Sequence, residues 1–130
     1  NDSVSSAEIE TGQARVLGDN DTRSAIVARL CRADLLILMS DIDGLYDKDP
    51  HKYPDAKLVS RVNAVTAELR ASAGGAGTSR GTGGMQTKLD AAEIAMSAGV
   101  DMVITNGSAP ELIYDIAAGA DIGTRFCAAR

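Results

Sequence analysis

Aromatic side chains and positive charge are both scarce in this chain, and each shortage removes a class of partner. One phenylalanine and three tyrosines in 130 residues provide no platform for stacking bases, and a net charge of −5 provides no basic stripe to follow a phosphodiester backbone. Nucleic acid is therefore not an expected partner. Long apolar runs are missing as well: none approaches the roughly 18 residues of a membrane span, and no secretory leader pattern is present. The chain reads as cytoplasmic, with no membrane partner. Histidine occurs once, at His51 in a polar stretch, where a surface position outweighs a catalytic one. The two cysteines, Cys31 and Cys127, stand far apart without metal-ligand spacing and read as reduced thiols, so no metal site built from protein side chains is expected.

What is present is an ordinary globular composition, 45% hydrophobic and 24% charged, enough for one core. The first residue is Asn1, not a methionine, and a piece of a larger domain is expected. Residues 7–9 and 14–17 are weakly strand-like, about a turn at Gly12. After Gly18-Asp19-Asn20-Asp21, the residues Ile26, Val27, Leu30 and Cys31 recur at helical spacing and predict a helix capped by Asp or Asn, with those four on its buried face. Residues 35–39 are continuously apolar, as in a strand buried on both faces of a parallel sheet, and Ser40 and Asp41 fall at its carboxyl end, where ligands collect in such sheets. A polar loop, 42–57, leads to a short strand at 58–62 and a helix at 65–73. Met85, Leu89, Ala92 and Met96 form one face of a further helix, which Gly99 stops. A strand at 100–105, a turn at Asn106-Gly107, a helix at 110–118 and a strand at 122–126 complete the order. The alternation predicts an α/β fold with a mostly parallel sheet.

Six glycines crowd residues 74–84, and Gly81-Thr82-Gly83-Gly84-Met85-Gln86-Thr87-Lys88 runs straight into a helix. Glycine lets an anion approach the backbone, the helix start favours negative charge, and a lysine adds a mobile point charge. Taken alone, the stretch fits a flexible loop ahead of a helix equally well. It matches neither common nucleotide fingerprint, because Lys88 stands four residues past Gly84 and the spacing of G-x-G-x-x-G is absent. Lys88 would lie about one turn into the helix, within reach of a phosphate over its start. Asp21 could orient that lysine; for Asp19 a plain helix cap is the stronger reading.

The run Ser40-Asp41-Ile42-Asp43-Gly44-Leu45-Tyr46-Asp47-Lys48-Asp49-Pro50 resembles the nucleotide-site segment of the amino acid kinase family. Gly18-Asp19-Asn20-Asp21, Gly81-Thr82-Gly83-Gly84-Met85 with Thr87-Lys88, and Gly123-Thr124-Arg125-Phe126 are together similar to the branch of that family that acts on glutamate. The resemblance implies a three-layer α/β/α sandwich with a mainly parallel sheet, of which residues 1–130 form the carboxyl-terminal, ATP-binding part. It implies phosphorylation of the side-chain carboxylate of L-glutamate at the head of proline biosynthesis, with ATP and Mg²⁺ as cofactors, in a homo-oligomer. By the same resemblance Ser40, Asp41, Thr82, Gly83, Gly84, Met85, Gln86, Thr87 and Lys88 contact the nucleotide, and Lys88 neutralises the phosphoryl group in flight. Asp21 organises the catalytic lysines, and Asp2 and Asn20 hold glutamate. The family's early glycine-rich loop with a second lysine has no counterpart in these residues, and a kinase-only parent, without an appended RNA-modification-enzyme-like domain, is expected. An ATP-binding fragment without activity is therefore the alternative. A relative acting on acetylglutamate or a nucleotide monophosphate is another, against which Gly18-Asp19-Asn20-Asp21 argues.

Overall fold

A computed structural model describes residues 20–48, 52–74 and 84–128, with residues 72–74 described as backbone only. In order these form helix α1 (Asn20–Leu30), strand β1 (Leu35–Ser40), strand β2 (Arg61–Val62), helix α2 (Ala67–Gly74), helix α3 (Gly84–Ser97), strand β3 (Asp101–Asn106), helix α4 (Leu112–Ala117) and strand β4 (Thr124–Phe126). The expected strand pieces at 7–9 and 14–17 lie outside the described residues, as do Asp2, Asp19, His51, Gly81, Thr82 and Gly83.

Helices α1 and α3 end in the same way, and that ending decides where a site can form. In α1, Arg32 takes a φ of 55°, its N–H bonds to the Arg29 carbonyl, and the Ala33 N–H bonds back to the Ala28 carbonyl. In α3, Gly99 takes a φ of 80°, its N–H bonds to the Met96 carbonyl, and the Val100 N–H reaches the Ala95 carbonyl. Both are left-handed terminators that satisfy the last free carbonyls and reverse the chain. Each helix therefore turns directly into a strand running back along it, and the start of the helix lies beside the end of that strand. β1 and β3 pair in parallel, from Leu35 with Asp101 to Ser40 with Asn106. Two helix starts and two strand carboxyl ends thus share one edge of the fold.

Among the described residues the sheet order is β1-β3-β4-β2, with β1/β3 and β2/β4 parallel and β3/β4 antiparallel. The class is α/β with a mainly parallel sheet, as expected. β3 is the strand covered on both faces: residues 102–105 alternate sides, yet none is more than 2% exposed. Leu38, Met102, Ile104, Val62 and Phe126 build one core with Ala25 and Ala28 of α1 and with Leu89, Ala91, Ala92 and Ala95 of α3. The expected α3 face holds, since Met85 and Met96 pack against this core around Leu89 and Ala92. No described helix is long and apolar enough to cross a membrane.

Two expectations about burial fail. α1 buries Ala25 and Ala28, whereas Val27 is 38% and Leu30 73% exposed and Cys31 is exposed. The small side chains let α1 and α3 approach closely, so the larger ones are turned away from the contact. Val27 and Cys31 instead line a groove of about 440 Å³ with Ala33, Leu35 and Leu36. β1 is not buried on both faces: it has one described neighbour, and only Leu38 in it is buried.

The other boundary differences have local causes. The strand expected at 58–62 is split, because Leu58 bridges to Tyr46 and the Val59 N–H bonds to the Leu45 carbonyl, leaving Arg61 and Val62 to pair with β4. The helix expected at 65–73 starts at Ala67, since the Thr66 hydroxyl accepts from the Leu69 N–H as a cap. Pro110 belongs to the turn before α4, where the Ile113 N–H bonds to its carbonyl.

Thr124 fixes the loop that follows β1. Its buried hydroxyl accepts from the Leu45 N–H at 2.8 Å and donates to the Val59 carbonyl. The loop is pressed so closely onto β4 that a Cβ at Gly44 would stand 2.7 Å from the Thr124 oxygen, and one at Gly123, whose φ is 64°, would stand 2.0 Å from the Ile104 carbonyl oxygen. Thr124→Ala orphans a buried N–H and a carbonyl, which costs about 1–3 kcal/mol. Thermal unfolding should register this loss, and Thr124→Ser should recover most of it.

Candidate functional site

The site begins at the first turn of α3. The leading N–H groups of a helix have no partner inside it, and together with the helix dipole they leave partial positive charge at its start. Gly84 stands there, exposed, and among the described residues nothing lies within 4 Å of where its Cβ would be. One turn on, Lys88 donates through Nζ to Asp21 Oδ2 at 3.2 Å. The Thr87 hydroxyl lies 2.9 Å from the same oxygen and 3.0 Å from the Gly84 carbonyl. With one proton to give, it makes the stronger bond to the charged acceptor.

Asp21 comes from the first turn of the neighbouring helix, α1, where a carboxylate is favoured by that helix's own dipole. It is 24% exposed and Lys88 14%, so the pair is partly withdrawn from water. Asn20, beside it, is exposed, and its side-chain oxygen accepts from Arg23 Nη1 at 3.2 Å.

A second group lies at the carboxyl ends of the paired strands on the same edge. The Ser40 hydroxyl donates to Asp41 Oδ1 at 3.1 Å, and the Ser40 carbonyl accepts from the Gly107 N–H at 2.8 Å. Asp41 is exposed. Asn106 donates through Nδ2 to Asp43 Oδ1 at 3.2 Å, while the Tyr46 hydroxyl donates to Asp43 Oδ2 at 3.3 Å. Burial first, and then the Asp43 charge, hold the Tyr46 phenol above its ordinary range. Sequence reasoning read Asn106 only as half of a turn; its signal was its position at the end of a strand in register with Ser40.

The expected site residues therefore divide. Asn20, Asp21, Gly84, Thr87 and Lys88 gather at the two helix starts, and Ser40 and Asp41 stand at the strand ends of that edge. Met85 packs on the core. Gln86 exchanges hydrogen bonds with Arg70: its Oε1 accepts from Nη1 and its Nε2 donates to the Arg70 carbonyl, both at 3.1 Å. The side chains of these two residues are therefore engaged within the fold. Asp2, Thr82 and Gly83 lie outside the described residues. Among the described residues no three His, Cys, Asp or Glu side chains gather as a metal cage. The donor set, a helix start with one lysine, suits a chain of phosphates, and exposed Asp41 and Asp43 could touch a Mg²⁺ ion carried on phosphate oxygens.

Comparison with known proteins points the same way. The chain is 52% identical over 128 residues to a glutamate 5-kinase from Clostridium perfringens, covering 98% of this chain and 47% of that protein. It is 48% identical to a glutamate 5-kinase from Pasteurella multocida, covering 97% of this chain and 33% of the relative. The chain thus spans about a third to a half of these relatives' length. Among solved structures, the uridylate kinase from Archaeoglobus fulgidus superposes with a TM-score of 0.62 at 26% identity, over 84% of this chain and 47% of that one. The T. acidophilum isopentenyl phosphate kinase does so with a TM-score of 0.58 at 28% identity, over 82% and 38%. The model of the amino acid kinase family matches residues 4–106, which is most of the sequence, and the chain belongs to that family.

Proposed function

We propose that this chain is the ATP-binding part of a kinase that transfers the γ-phosphoryl group of ATP to the side-chain carboxylate of L-glutamate, giving an acyl phosphate. The observation that carries the proposal is Lys88 held by Asp21 beside the start of α3. Relatives named glutamate 5-kinase, near 50% identity, support glutamate as the acceptor.

The residues suit this chemistry. A glutamate side chain has a pKa of about 4.3, so the nucleophile is ionised at neutral pH and needs no general base. What remains is to bring two anions into line and offset their repulsion. The N–H groups at the start of α3 hold phosphate oxygens. Lys88 supplies a point charge that follows the transferring group, and Asp21, braced by Thr87, keeps the amine aimed there and out of solvent. Ser40 and Asp41, with the backbone of residues 82–88, hold the nucleotide, while Asn20 and Asp2 take the glutamate. When bound, Mg²⁺ screens the charge of the phosphate oxygens. Within this proposal the protein works in the cytoplasm as a homo-oligomer. A second reading, ATP binding without turnover, is favoured for residues 1–130 alone by the share of the relatives they span.

The full-length protein should release ADP only when glutamate is present, and hydroxylamine should trap the acyl phosphate. Turnover with acetylglutamate or a nucleotide monophosphate in place of glutamate would overturn the substrate assignment. Lys88→Ala is expected to lower kcat by about 10²-fold or more while leaving the KM for ATP within about threefold, because its charge matters most to the transferring group. Equal losses in both constants would reduce Lys88 to an anchor. For Asp21→Asn the expectation is a rate loss of at least about tenfold with thermal unfolding little changed; near-normal kcat would remove its orienting role.

A further inference from the structure

Arg70 has no part in the mechanism above, yet it is the most heavily engaged cation among the described hydrogen bonds and ion pairs. Its guanidinium donates through Nη1 to Gln86 Oε1 at 3.1 Å, through Nε to Glu93 Oε1 at 3.0 Å, and pairs through Nη2 with Asp90 Oδ1 at 2.8 Å and with Glu93. The Gln86 amide closes the loop by donating to the Arg70 backbone carbonyl at 3.1 Å. The side chain is 28% exposed, and its bond to Glu93 is the largest influence holding the guanidinium above its ordinary value.

The three partners sit at positions 86, 90 and 93 of α3, a spacing that lines one face of a helix over two turns. Arg70 comes from α2, which the sequence joins to α3 through the glycine-rich residues 75–83. α3 is thus gripped twice near its start, by Asp21 of α1 at Thr87 and Lys88 and by Arg70 of α2 at Gln86. A phosphate-binding role for Arg70 itself is disfavoured by charge: two carboxylates on one guanidinium leave the cluster net negative. A planar fork fixed by three acceptors has a different use, which is to hold geometry.

Building on the kinase reading, we propose that Arg70 is a positioning residue for phosphate binding. By clasping Gln86, Asp90 and Glu93 to α2, it sets the angle and height at which the first turn of α3 presents its N–H groups and Lys88 to the phosphates. A one-ångström misplacement of such groups is enough to cost turnover. Glu93 separates this role from direct contact, since it lies about 13 Å along the helix from Gly84 and cannot touch a phosphate at the helix start.

The test uses the full-length protein with Arg70→Met, Arg70→Lys and Glu93→Gln, reading kcat, both KM values and the affinity for a non-hydrolysable ATP analogue by calorimetry. Arg70→Met should raise the KM for ATP and weaken the analogue about tenfold each, with the KM for glutamate within about twofold. Arg70→Lys, which keeps the charge and loses the fork, should recover less than half of that effect on a logarithmic scale. Glu93→Gln should move the ATP constants in the same direction by about threefold. If Arg70→Met does not fold, Glu93→Gln decides alone. ATP constants within error of the original in the folded variants, or full recovery with lysine, would overturn the clasp. An original protein that binds the analogue without turning over glutamate would instead sink the kinase reading and leave the clasp standing on the calorimetry, and one that does not bind the analogue would overturn both.

Discussion

One carboxylate, Asp21, ties the two halves of the site together. It leaves the first turn of α1 and receives both the Lys88 amine and the Thr87 hydroxyl from α3. That reach depends on how closely the two helices lie, and both bury alanines in the core they share: Ala25 and Ala28 of α1, and Ala91, Ala92 and Ala95 of α3. As a source of stability the pair is modest, because drawing both charges partly out of water offsets much of their attraction. Its value lies in direction: a long, mobile side chain is given one place to point.

The backbone prepares this arrangement before any side chain acts. The matching left-handed endings of α1 and α3 fold each helix back along its strand, so helix starts and strand ends meet on one edge. Positive partial charge from two helices therefore collects where the loop after β1 carries Asp41 and Asp43. Thr124 then holds that loop from below through the Leu45 N–H and the Val59 carbonyl. Two kinds of cation divide the work: Lys88, flexible and singly anchored, suits a moving charge, whereas Arg70, forked and anchored three times, suits a fixed frame.

Much of this was legible in the chain, and the parts that were not share a cause. The α/β alternation, the Gly99 stop and the apolar face of α3 follow from spacing alone. The pairing of Asp21 with Lys88 could be anticipated from one acid and one lysine each near a helix start. The face of α1 could not, because periodicity marks large apolar residues and here the small ones make the contact while Val27 and Leu30 face outward. The burial of β1 was overestimated for a related reason, since an apolar run does not reveal how a strand is flanked, and among the described residues β1 has one neighbour. Arg70 with Gln86, and Asn106 with Asp43, are invisible to any local rule, being contacts across 16 and 63 positions that only the folded chain creates.

Under the proposed function, phosphates bind over the start of α3 and draw on a lysine already aimed by Asp21. This arrangement is tested most directly by a crystal structure of the full-length protein with Mg²⁺ and a non-hydrolysable ATP analogue. The account predicts a terminal phosphate oxygen within about 3 Å of Lys88 Nζ and of at least one N–H in the first turn of α3, with Asp21 still in contact with Thr87. A triphosphate bound elsewhere, with Lys88 unmoved on Asp21 and the start of α3 left to water, would contradict it.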